Sequence, residues 1–256
     1  MSGRDLGAGD APSEAEEAVD IFEGLDAPPE NQPQIEGFGC GRELSAMEVR
    51  MHLMDRGNYD PREVDNTVLA SVRFEDTAPP DAEGRLLGST LPTPGHRWGD
   101  GAAHDVTIHQ HDGATGRGEA ADRLASYKTL DHEIGHTVWA NAPAEMREQY
   151  ERDVYDWSQQ NPPREGGYAL PELGDDVAPR PGETGYAIPA SDYASKNAEE
   201  HFCEAMAMAI NEPEKLELYD RYAPEGANRT DWVAGIRAAA LEAREERASR
   251  STSALA

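Results

Sequence analysis

"TLDHEIGHTVW", residues 129–139, has the spacing of a helix that carries two imidazoles on one face. Residues four apart on an α-helix lie nearly above one another, so His132 and His136 point together and Glu133 projects beside them. Leu130, Ile134 and Val138 supply an apolar stripe, no charge falls between Glu133 and His136, and Gly135 leaves room for a close neighbour. The same period extends back through Leu124 and Tyr127 to Glu119 and forward to Trp139. A packed helix with its histidines at the floor of a cleft is the expectation.

Upstream, "LSAMEVRMHLMDRG" predicts a helix capped by Ser45, with Met47, Met51 and Met54 on one face and Gly57 at its end. "NTVLASVRFED" alternates as a half-buried strand, with Val68, Ala70, Val72 and Phe74 on one side. After a Pro/Gly-rich loop, "AAHDVTIHQH" predicts another, Val106 and Ile108 pointing one way and His109 and His111 the other. Two histidines at that spacing can bind a metal, but with no further ligand nearby a polar strand face is the simpler reading.

Downstream, a helix is expected from about Pro143, with Met146, Tyr150, Val154 and Trp157 on a stripe. Residues 160–190 are too rich in Pro and Gly for regular structure and read as a long loop. "NAEEHFCEAMAMAI" is a helix with core residues Phe202, Met206 and Ile210, and a last helix runs from about Thr230 to Arg247 with Trp232, Ile236 and Leu241 inward. The fold class is α+β: a small mixed sheet from strands near 67–75 and 104–110, with 184–189 as a further candidate, over the HEIGH helix, followed by a mainly helical C-terminal half. One domain over 37–248 is expected, between a disordered acidic tail at 1–36 and a polar tail at 249–256.

Fifty acidic residues among 256 give a formal net charge of −27, which repels phosphates and anionic lipid and argues against nucleic acid or membrane partners. Only Lys128, Lys196 and Lys215 are lysines, and a surface this acidic stays soluble when salt screens its self-repulsion, so a salt-rich, halophilic setting is expected. Cys40, among glycines, and Cys203, on a helix, form no disulfide framework. No basic n-region precedes an apolar run and no eighteen apolar residues are consecutive, so the expectation is a cytoplasmic monomer, with export by a route lacking a cleavable signal left open.

Two imidazoles four apart suit zinc, which takes neutral ring nitrogen and, in catalytic sites, keeps one of four positions open for water. A bare H-E-x-x-H also occurs on ordinary solvent faces, but here Thr129, Leu130, Ile134, Gly135, Thr137 and Val138 around it are uncharged. "TVWANAPAEM" after His136 holds no third histidine, so the third ligand is sought elsewhere, most naturally as a carboxylate. In "NAEEHFCEAM", Glu200 and Glu204 stand four apart beside the apolar face. Glu200 is the candidate ligand and Glu204 the acceptor for the free N–H of a zinc-bound histidine. Glu199 and His201 compete but point off that face, and an acidic solvent face is the plainer alternative.

"SDYASKNAEEHFCEAMAM" together with HEIGH resembles the zinc-site segments of the anthrax lethal factor catalytic domain and the related Pro-Pro endopeptidases. There a tyrosine precedes the ligating glutamate by seven residues, in a helix that continues F-x-E-A. Tyr193, Glu200, Phe202, Glu204 and Ala205 fall at those places, and His132, Glu133, Gly135 and His136 match the family's H-E-x-G-H. The likeness covers about 129–139 and 193–206; the interval between the motifs is longer here, and His201 and Cys203 depart from the family helix. It implies a zincin-like fold and a zinc metalloendopeptidase of the gluzincin type acting on protein or peptide. Zn2+ would sit on His132, His136 and Glu200, Glu133 would be the general base, and Tyr193 would donate to the oxyanion. The strand 104–111 is the expected rim of the cleft, where an extended substrate adds as a strand. The alternative readings are a zinc-containing binding or regulatory module that does not cut, and an acidic interaction protein in which HEIGH is accidental.

Overall fold

The computed structural model describes residues 32–36, 44, 46–75, 87–109, 119–161, 193–220, 223–224 and 226–254. Residues 1–31, Cys40, Ser45, His111, the loop beyond Asn161 and the candidate strand 184–189 lie outside the described residues. In chain order come β1 (Gln34–Glu36), α1 (Ala46–Met51), β2 (Leu69–Glu75), β3 (Gly88–Pro92), β4 (His104–His109) and α2 (Glu119–Asn141). Then follow α3 (Ala144–Tyr150), α4 (Asp156–Gln160), α5 (Ala198–Asn211), α6 (Pro213–Asp220) and α7 (Arg229–Ala254). The architecture is mixed α+β, with a four-stranded mixed sheet and mostly helical content. No described helix is long and apolar enough to cross a membrane.

The sheet order is β1-β2-β4-β3. β1 with β2 and β2 with β4 are parallel, and β3 runs antiparallel to β4. Val72 pairs with Val106 and Phe74 with Ile108, and these four pack in one core with Leu130, Ile134 and Val138 of α2 and Phe202 and Met206 of α5. The alternation of β2 and the apolar stripe of α2 thus meet as their periods require. A register shift between Leu69 and Ser71 lets both bury as well.

Five local readings change. β4 is not the rim: it is paired on both sides, and β3 lies outside it as an edge strand among the described residues. β3 hides in the Pro/Gly-rich stretch because "GSTLP" has one large apolar side chain, and it is held by backbone pairing. β1 falls at the end of the acidic tail for the same reason, an edge strand with little to bury. In α1 and the turn after it, Val49 and Leu53 are buried, as is Leu44 just before α1, while Met47 and Met54 stay 39% and 45% exposed. After Met51 the helix widens into a π-turn at His52–Arg56, in which His52 is buried. Finally, α7 continues past Arg247, its polar last turns held by bonds such as Ser249 Oγ to the Glu245 carbonyl. The inward residues of α7 are Val233, Ile236 and Ala240, with Trp232 packed against the core.

Candidate metal centre

α2 and α5 cross where Gly135 faces Cys203: a Cβ on Gly135 would stand 3.0 Å from both Cα and Sγ of Cys203. The missing side chain lets the two helices approach backbone to side chain, as the Gly135 spacing led us to expect. Asn197 caps α5 by accepting from Glu200 N at 2.8 Å, which fixes the first turn holding Glu199 and Glu200. Behind the site, Asp131 is fully buried and accepts from His52 Nε2, Tyr59 Oη and Asn211 Nδ2 at 2.8, 2.7 and 2.6 Å. That buried carboxylate ties α1, α2 and α5 together directly beside His132.

The candidate ligands converge. Glu200 Oε2 lies 3.1 Å from His132 Nε2 and 3.5 Å from His136 Nε2. Each histidine is backed on its other nitrogen by a carboxylate: His132 Nδ1 is 2.8 Å from Glu204 Oε1, and His136 Nδ1 is 2.7 Å from Glu199 Oε1. Such pairing fixes ring orientation and raises ligand basicity in metal sites. Glu204 thus lies against His132 Nδ1, whereas helix spacing alone turns Glu199 off the Glu200/Glu204 face. It reaches His136 because that imidazole lies one turn further along α2, over the start of α5. His201 turns into the core, its Nδ1 2.7 Å from the Tyr150 hydroxyl, and burial holds its pKa down at about 3.

His132, His136 and Cys203 also offer ligand atoms within 4.8 Å of one another, so the described residues contain a group that could hold a metal ion. Of the two candidates for the third ligand, Glu200 has the better chemistry. Burial, reinforced by the surrounding glutamates, pushes the Cys203 thiol well above its usual pKa, and its sulfur is spent on packing against Gly135. For Glu200, burial raises the pKa, but the hydrogen bond from His132 and the nearby imidazoles outweigh it and leave the carboxyl below the usual range. Burial likewise pulls His132 down, and Glu200 and Glu204 overcome it to push the imidazole up to about 10. Two imidazole nitrogens around one carboxylate oxygen, at 3.1 and 3.5 Å from it, form a donor set of the kind that fits zinc.

Glu133 is only 5% exposed, under the edge strand, where Thr90 Oγ1 donates to its Oε2 at 2.7 Å. Burial raises its pKa against the lowering effect of the two imidazoles. Tyr193, in a short 3-10 turn at Tyr193–Ser195, is 40% exposed, packs edge-on to His132 at 5.7 Å between ring centroids, and lies within hydrogen-bonding reach of Glu200. Lys196 Nζ stands 3.8 Å over its ring. The β3–β4 loop brings Trp98 to 6.5 Å from the His136 ring. His109 is elsewhere, on the far face of the sheet with Glu75. Thr90 and Trp98 carry no signal in the sequence, since neither belongs to a spacing pattern, and Glu199 enters there as a competing ligand alone. No family model, curated protein or solved structure matches the chain.

Proposed function

We propose that this protein is a zinc-dependent metalloendopeptidase of the lethal factor-like, gluzincin type, with a zincin-like fold. The observation that carries the reading is the convergence of His132 Nε2, His136 Nε2 and Glu200 Oε2, with the buried Glu133 carboxylate beside them. His132, His136 and Glu200 would hold the ion, and zinc would supply Lewis-acid activation of water and of the substrate carbonyl. Glu204 and Glu199 keep the two imidazoles in the tautomer and orientation that present Nε2.

The chain's own residues then divide the work. The outer edge of β3, unpaired among the described residues, accepts an extended peptide as an added antiparallel strand, which lays a backbone carbonyl beside Glu133. Glu133 takes a proton from the attacking water and hands it to the leaving amine, its burial keeping that proton from bulk solvent. The Tyr193 hydroxyl donates to the oxygen on which negative charge develops. Its half-exposed position on a short turn leaves it free to make that contact. Because the substrate is held by main-chain pairing, protein or peptide is the substrate class that fits.

Elemental analysis of protein purified without chelator tests the reading. About one zinc per chain is expected, lost in Glu200→Ala; Glu133→Gln keeps the zinc and abolishes hydrolysis of a fluorogenic peptide library. Folded wild type without zinc, or Glu133→Gln with full activity, would remove it.

A further inference from the structure

We infer that the edge strand β3 aims the proton carrier: Thr90 is a positioning residue for the Glu133 carboxylate, and Gly88 is the gap in which that carboxylate sits. The inference rests on the role proposed for Glu133. Gly88 and Thr90 are two apart on β3, opposite Ile108 and Val106, so both face α2. Thr90 Oγ1 is 2.7 Å from Glu133 Oε2 and 2.9 Å from the Glu133 carbonyl oxygen. A hydroxyl has one proton to give, and the nearer acceptor is the carboxylate. Both residues are buried, Thr90 at 7% exposure and Glu133 at 5%, so no bulk water competes for that proton.

Gly88 makes an independent second contact. A Cβ at this position would stand 2.6 Å from Glu133 Oε1, 2.8 Å from Cγ and 2.9 Å from Cδ. One carboxylate oxygen is thus held by a hydrogen bond and the other is bounded by the backbone of the same strand. The strand that receives an extended chain along its outer edge is therefore the strand that sets where the base points. Substrate carbonyl and proton acceptor are referred to one rigid element, and their separation does not depend on the flexible reach of a glutamate side chain.

The two contacts can be broken separately in the zinc-loaded full chain. Thr90→Val removes the hydroxyl at nearly constant shape, and Thr90→Ser restores it. Gly88→Ala meets Cγ as well as the carboxylate of the buried Glu133, so it forces that side chain out of its place. With a fluorescence-quenched peptide library as probe, Thr90→Val and Gly88→Ala should lower kcat by about 10- to 100-fold with KM and zinc content unchanged, and Thr90→Val should also keep the wild-type Tm. Thr90→Ser should stay within about twofold of wild type, and crystal structures of the two impaired variants should show the Glu133 carboxylate displaced. Wild-type kcat in Thr90→Val, an equal loss in Thr90→Ser, or an unmoved Glu133 would overturn the inference. A zinc-loaded wild type that cuts nothing would instead overturn the proposed function, and the crystal structures would still decide whether β3 aims this side chain.

Discussion

At the scale of single residues, the site is built from charges that would not tolerate burial alone. Each is answered by a partner: Glu200 by His132, His136 by Glu199, Asp131 by His52, Tyr59 and Asn211. Two other histidines are buried as neutral rings. His104 is 2% exposed, stacked under Trp98 at 4.8 Å between ring centroids, and burial lowers its pKa from 6.5. His201 is lowered further, to about 3. An unfolded chain binds protons at these rings near pH 6.5 while the folded chain does not, so their contribution is whole above that pH and is lost as pH falls below it. Between pH 7 and pH 5 the urea midpoint of wild type should therefore lose ground relative to that of His104→Leu, which lacks the titrating ring. The same drop in variant and wild type would show that the ring carries no such linkage.

At the scale of elements, the α2–α5 crossing decides whether three ligands meet. His132 and His136 belong to one helix and Glu199, Glu200 and Glu204 to the other, so every distance in the site depends on how closely the two lie. Gly135 sets that approach, and the atom a Cβ would meet at 3.0 Å is the Cys203 Cα, which cannot swing aside as a side-chain tip can. Gly135→Ala should cost about 1–3 kcal/mol in urea denaturation, as overpacking does. It should weaken zinc binding in chelator competition at the same time, because the helices move apart as bodies. Wild-type zinc affinity in a destabilised Gly135→Ala would mean that the site adjusts independently of the crossing.

At the scale of the whole molecule, charge and the C-terminal helix work against each other. The net charge of −27 pushes the chain apart, and α7 pulls it together by spending arginines on the N-terminal half. Arg237 holds Glu63 at 2.6 Å, Arg244 holds Thr67 at 2.6 Å, Arg62 pairs with Glu245, and Arg247 reaches Asn141 at the end of α2 at 2.6 Å. Only 23 lysines and arginines are available to offset 50 acids, so most of the repulsion is left to the solvent. Thermal unfolding followed against KCl should show Tm rising from low salt into the molar range, as screening shortens the reach of the acidic surface. An unchanged Tm from 0.1 M upward, on the order of ten ångströms of screening length, would count against a salt-adapted surface.

Local periodicity determined much of this protein in advance. The two histidines of HEIGH, the pairing of Glu200 with Glu204, the apolar stripes of α2, α3 and α5, and the alternation of β2 and β4 are patterns within one element, and helix and strand geometry convert them directly into faces. What sequence could not carry were relations between elements. β1 and β3 pair through backbone and bury few large side chains, so no apolar pattern marks them. His52 is buried against Asp131, on another helix. Glu199 meets His136, and Thr90 meets Glu133, across gaps of 63 and 43 residues, where only the packed sheet and crossed helices bring the atoms within reach. Residue spacing chose the candidate ligands; tertiary packing chose which carboxylate stands behind each histidine and which strand lies over the base, because a hydrogen bond depends on distance in space and a sequence records only distance along the chain.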